Sequence, residues 1–127
     1  MKLEDQVCSL ELAIKLEKLG VKQDSLFYWY DYSEKNESAG ISYTKGKIVG
    51  ENTCSAFTVA ELGEMLPVEI PYTDNGCDDI SFLLTGKNSN GKWWLNYTTG
   101  VEDANEANVR AKMLIYLIEN NLIELPK

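Results

Sequence analysis

Residues 86–93 read Gly86-Lys87-Asn88-Ser89-Asn90-Gly91-Lys92-Trp93, and the choice between two architectures turns on them. The first seven residues fit G-x-x-x-x-G-K, the fingerprint of a loop that cradles phosphates. Such a loop works because a strand enters it and a helix leaves it, which puts the phosphates on a helix N-terminus. It also needs Ser or Thr after the lysine to hold magnesium, and here Trp93 stands in that place. The next residues, Trp93-Trp94-Leu95-Asn96-Tyr97-Thr98, alternate as a strand does. Ile80-Ser81-Phe82-Leu83-Leu84-Thr85 alternates on the other side, and Asn-Gly between two such runs is a hairpin signal. The stretch therefore predicts a solvated hairpin tip, with no nucleotide bound there.

On the N-terminal side of this hairpin, Thr58-Val59-Ala60-Glu61 is a capping box that opens a short helix. Phe57 and Leu62 are placed as its hydrophobic staple, and Pro67 stops it after Leu66. Val68 to Tyr72 is extended at best, because Pro67 and Pro71 both remove ladder donors. Ser25 to Tyr32, dense in aromatics, reads as a strand. A polar loop over 33–40 joins it to a second strand over Ile41 to Val49. The first helix is expected from Leu3 to Leu19, with Gly20 at its left-handed end and Val21 making the apolar contact. It carries two stripes, Leu3-Val7-Leu10-Ile14 and Cys8-Leu12-Leu16-Leu19. The last helix is expected from a box-like cap at Asp103-Ala104-Asn105-Glu106 to about Asn120. Ala107, Ala111, Leu114 and Ile118 form its stripe, and Met113 to Ile118 is apolar all round. Glu106 and Arg110 are spaced as a surface pair.

The order α-β-β-α-β-β-α predicts one α+β domain over residues 1–127. Its antiparallel sheet has about four strands, and three helices lie mainly on one face. At 127 residues, with 44% hydrophobic and 25% charged content, the chain can bury a core without staples. No apolar run approaches the length of a membrane span, and acids occupy the start where a signal peptide needs basic residues. A cytoplasmic protein is expected, with no membrane partner. Net charge is −8 and Arg110 is the only arginine, so nucleic acid is not an expected partner.

The chain has no histidine, which removes imidazole triads and His-ligated metals. Cys8, Cys54 and Cys77 are odd in number and widely spaced, so they are expected to be reduced and to hold no metal. No cofactor is expected. Asp74-Asn75-Gly76-Cys77-Asp78-Asp79 gathers carboxylates that could hold a hard cation, but the spacing is not that of an EF-hand and a polar turn explains it.

The aromatic residues on the strands carry the binding expectation. A face with Trp29 and Asp31, and with Trp94 and Asn96, combines stacking surfaces with polar handles for a base, a sugar or a partner's side chains. The same rings could equally be core, since pleated surfaces favour them.

Ala56 to Pro67 and Arg110 to Asn120, taken with Cys8 to Ala13 and Leu26 to Trp29, resemble a family of small proteins encoded by bacteriophages and integrated elements. The likeness covers most of the chain and brings no catalytic residues. It implies a bacterial or phage cytosolic origin and accessory work. The expected function is non-enzymatic binding of a protein partner or small ligand. The alternatives are a small enzyme using Asp31, Asp74, Asp78 or Asp79, and a purely structural oligomer. Two apolar stripes on the first helix, and the all-round apolar turn of the last, favour a homodimer unless the chain covers them itself.

Overall fold

A computed structural model of the chain describes residues 3–31, 39–42, 53–74, 77–97 and 99–123, and of residues 30–31, 39–42, 72–74 and 77–79 only the backbone. The hairpin at its centre pairs β6 (Leu84–Lys87) with β7 (Trp93–Asn96), Lys87 opposite Trp93. Asn88 N–H donates to Lys92 O at 2.8 Å and Gly91 N–H to Asn88 O at 3.0 Å. Gly91 takes φ 87°, the left-handed residue that closes a type I turn followed by a bulge. A strand and not a helix leaves the turn, so the stretch has a hairpin's geometry.

Helix α1 spans Leu10–Lys18 and does not reach back to Leu3. Ser9 caps it by accepting from Leu12 N–H at 3.3 Å. Ahead of it, Leu3–Asp5 forms a 3-10 turn, and Val7 makes an isolated antiparallel bridge to Thr58. Cys8 N–H donates to Phe57 O at 3.0 Å. Tertiary pairing thus pulls Val7 and Cys8 out of the helix, and both are fully buried. The helix ends as expected. Gly20, at φ 93°, donates to Glu17 O, and Val21 donates to Leu16 O, the two bonds of a Schellman motif.

Strand β1 (Tyr28–Asp31) lies between β2 (Ala39–Ser42) and β3 (Thr53–Ser55), both antiparallel to it. The part of the expected second strand beyond Ser42 lies outside the described residues. Helix α2 (Val59–Met65) carries the full capping box, and Phe57 and Leu62 are both fully buried. Leu66 is extended (φ −80°, ψ 129°), as a residue before proline is pushed to be.

Strands β4 (Glu69–Asp74) and β5 (Cys77–Phe82) form a two-stranded ribbon. Pro71 is accommodated because a strand with one neighbour has a free edge, where a missing donor costs nothing. The expected strand Ile80 to Thr85 divides at Leu83, whose N–H donates to Val68 O at 2.8 Å. Before Leu83 the chain pairs with β4; after it, with β7. Strand β8 (Gly100–Asp103) completes a β6-β7-β8 sheet.

The architecture is α+β with three helices and antiparallel strands among the described residues. In place of one sheet of about four strands, the described residues form sheets of three, two and three. The helices meet different sheets, α1 packing against β3 and α3 (Glu106–Glu119) against β7 and β8. Helix α3 also packs against α1 and α2 and is the hub. Its cap is Asn105, two residues later than expected, because Asp103 still belongs to β8. Asn121, at φ 56°, ends it, with Leu122 N–H returning to Leu117 O at 2.9 Å. Met113, Leu114, Ile115 and Leu117 are buried within this one chain.

Candidate functional site

The β6-β7-β8 sheet has two faces of opposite character, set by the alternation of β7. Leu95 is fully buried and packs in the core cluster with the buried residues of α3. Trp94 and Asn96 take the opposite face, and their cross-strand partners share it: Gly86 and Glu102 with Trp94, Leu84 and Gly100 with Asn96.

The two glycines shape that face. A Cβ added at Gly86 would sit 2.7 Å from Trp94 Cζ2, so the half-buried indole lies over bare β6 backbone. At Gly100 an added Cβ would collide with the Asn96 carboxamide, which lies over β8 in the same way. Among the described residues the Trp94 indole N–H has no acceptor. Asn88, Trp94, Asn96, Gly100, Val101 and Glu102 line a shallow concavity of about 410 Å³. Glu102 is held at its rim by Asn88 Nδ2 at 3.4 Å and Lys92 Nζ at 3.7 Å. The arrangement offers an aromatic surface, a carboxamide and a carboxylate, suited to stacking and polar contact. It holds no nucleophile with an adjacent base.

Trp29 and Asp31 are not brought to this face. They lie on β1, in a different sheet. Trp29 is only 9% exposed, and its indole N–H donates to Cys8 O at 2.9 Å. That ring is core, with its one polar atom already used, so no surface is left for a ligand to stack on. Asp31 sits opposite Ala39, and its side chain lies outside the described residues, as do those of Asp74, Asp78, Asp79 and Cys77.

A second concavity, about 630 Å³, lies on the inner side, where Lys87 Nζ sits 5.5 Å from the centre of the Trp93 ring. Asp5, Gln6, Thr58 and Glu106 also line it. Its polar groups are largely engaged: Thr58 with Glu61, and Glu106 with Arg110 at 3.5 Å. No group of histidine, cysteine and acidic side chains that could hold a metal occurs among the described residues. Cys8 and Cys54 are free and buried, and burial pushes their thiols up to about 11 and about 12. Tyr97 is pushed up to about 12 by burial, with Arg110 opposing, while its hydroxyl donates to Pro67 O.

The signal that would have separated Trp94 from Trp29 is glycine. Gly86 and Gly100 interrupt strands, where glycine marks a close approach of side chain to backbone. No helix among the described residues is long and apolar enough to cross a membrane. No protein-family model, no curated protein and no solved structure matches the chain.

Proposed function

We propose that this is a non-enzymatic accessory protein of a phage or mobile element that binds a protein partner or small ligand on the outer face of β6-β7-β8. One observation carries the reading: the Trp94 indole lies over Gly86, half-exposed and flanked by Asn96, Asn88 and Glu102. A tryptophan kept at a surface over glycine, rather than in the core, gives a stacking area with little conformational entropy to lose. The accessory role is what the resemblance to phage-encoded proteins implies. The bound species is a base, a sugar ring or a side chain of a partner, since each presents a flat or apolar face with polar edges.

The test is a titration of the protein with nucleosides, with mono- and disaccharides and with extract from infected cells. The amide and indole signals of β6-β7-β8 report binding. One class is expected to move the Trp94 indole signal in a saturable way, and Trp94→Ala is expected to abolish this without changing the circular dichroism. If every bound species were to leave the Trp94 and Asn96 signals in place, the site would be elsewhere.

A further inference from the structure

The outer face of β6-β7-β8 is divided lengthwise. Its β6 side is apolar: the Trp94 ring leans across Gly86, and Leu84, on the same face of that strand and 60% exposed, continues the patch. Its β8 side is polar. Glu102 stands opposite Trp94, and the Asn96 carboxamide lies over Gly100, with Nδ2 the atom farther from the point a Cβ would occupy, at 3.8 Å. Glycine at both positions lets the two side chains part in opposite directions.

Charge narrows what fits there. Glu102 is answered by Lys92 at 3.7 Å, and Lys112, which donates to Glu102 O, is held by Asp103 at 2.8 Å. A phosphate would meet Glu102 in a chain of net charge −8, and a cation would find that carboxylate already paired. A neutral ligand meets neither obstacle.

Shape narrows it further. The Trp94 ring has β6 backbone on one side, and the concavity of about 410 Å³ is shallow, so a ligand is covered on one side only. A nucleobase has two apolar faces and would leave one of them in water. A ring with hydrogens on one face and hydroxyls on the other keeps its uncovered side hydrated at no cost.

We propose that this face binds a neutral pyranose of galacto configuration. The C3, C4 and C5 hydrogens of such a ring make one apolar face, which covers the Trp94 indole. The adjacent C3 and C4 hydroxyls donate to the Glu102 carboxylate and accept from Asn96 Nδ2. Hydroxyls suit both partners, since each gives one proton and can accept others. Sugar binding rests on the reading proposed above for Trp94 and gives that site its ligand class.

The probes are D-galactose, its C4 epimer D-glucose and adenosine, added to 15N-labelled protein while the Trp94 indole and Asn96 carboxamide signals are followed. Galactose is expected to move both signals saturably, with a dissociation constant of about 1 mM. Glucose is expected to bind about tenfold more weakly or worse, and adenosine to leave both signals in place. Glu102→Gln, an exposed change, is expected to weaken galactose about tenfold, because a charged acceptor becomes a neutral one. Glucose binding as tightly as galactose, adenosine binding more tightly, or full galactose affinity in Glu102→Gln overturns the sugar assignment and leaves a ligand site at Trp94. Trp94 and Asn96 signals that galactose does not move overturn it as well. A nucleoside or a species from infected-cell extract that then moves the Trp94 signal keeps the site itself; if nothing moves it, both readings fail.

Discussion

Asp103 closes β8 and ties it to α3. Its carboxylate accepts from Lys112 Nζ at 2.8 Å, Asn105 N–H at 2.9 Å and Asn108 Nδ2 at 3.4 Å. Burial alone would raise its pKa, but the Lys112 hydrogen bond and the Asn105 N–H outweigh that and hold it below 3.8. Because the folded value is the lower one, the stabilisation is complete above the unfolded pKa and is lost as pH falls through the depressed value. Asp103→Asn is expected to cost roughly 1–2 kcal/mol at pH 7 and to flatten the loss of stability below about pH 4. Urea melts at pH 7 and pH 3 check this; parallel curves for the two proteins would contradict it. Cys8 and Cys54 behave in the opposite sense. Their raised values favour the neutral thiol in the fold, so their contribution persists up to 9.0 and is lost as pH rises through about 11 and about 12. Neither is expected to react with a thiol reagent at pH 8 until the chain is unfolded, with the modified peptides identified by mass.

Among the elements, α2 has seven residues and depends on its cap. Thr58 N–H donates to Glu61 Oε1 at 3.0 Å, and Glu61 Oε2 accepts from Leu26 N–H at 3.1 Å. Thr58→Ala is expected to cost about 1 kcal/mol. Glu61→Ala is expected to cost more, since it releases the N-cap amide and the segment ahead of β1 together. Thermal melts rank the two, and the reverse order would mean the Leu26 contact carries nothing. The β6-β7 hairpin gives a second test. Gly86→Ala puts a methyl 2.7 Å from Trp94 Cζ2, so the ring must move. The expected outcome is a shifted Trp94 indole signal and weaker binding on that face, with the fold intact by circular dichroism.

Over the described residues as a body, most of the apolar surface of the helices is met from inside the chain. Helix α3 contacts α1, α2, β7 and β8. On α1, Leu16 is fully buried, Leu12 and Leu19 are partly buried against the core, and Ile14, at 38%, is the large apolar residue left notably exposed. Most of the two stripes and of the Met113–Ile118 turn is thus covered by described residues of the same chain. A monomer mass at tens of micromolar is expected from light scattering after size exclusion. A dimer that Ile14→Lys disperses would restore α1 as an interface.

Features that depend on near neighbours in the chain are legible in the order of residues. The Thr58–Glu61 box, the Gly20 and Val21 helix end, the Asn90-Gly91 turn and the α+β class come from bonds that span a few residues. Features that depend on distant partners are not. Phe57 O draws Cys8 out of the helix its spacing predicts, and Val68 O divides one alternating run into β5 and β6. Strands β3 and β8 have too few apolar residues for their pattern to show, and exist through pairing with β1 and β7. Trp29 and Trp94 have much the same local sequence character, an aromatic in an alternating run. One is core and the other surface because the side of a strand that faces the core is set by packing, which no local period records.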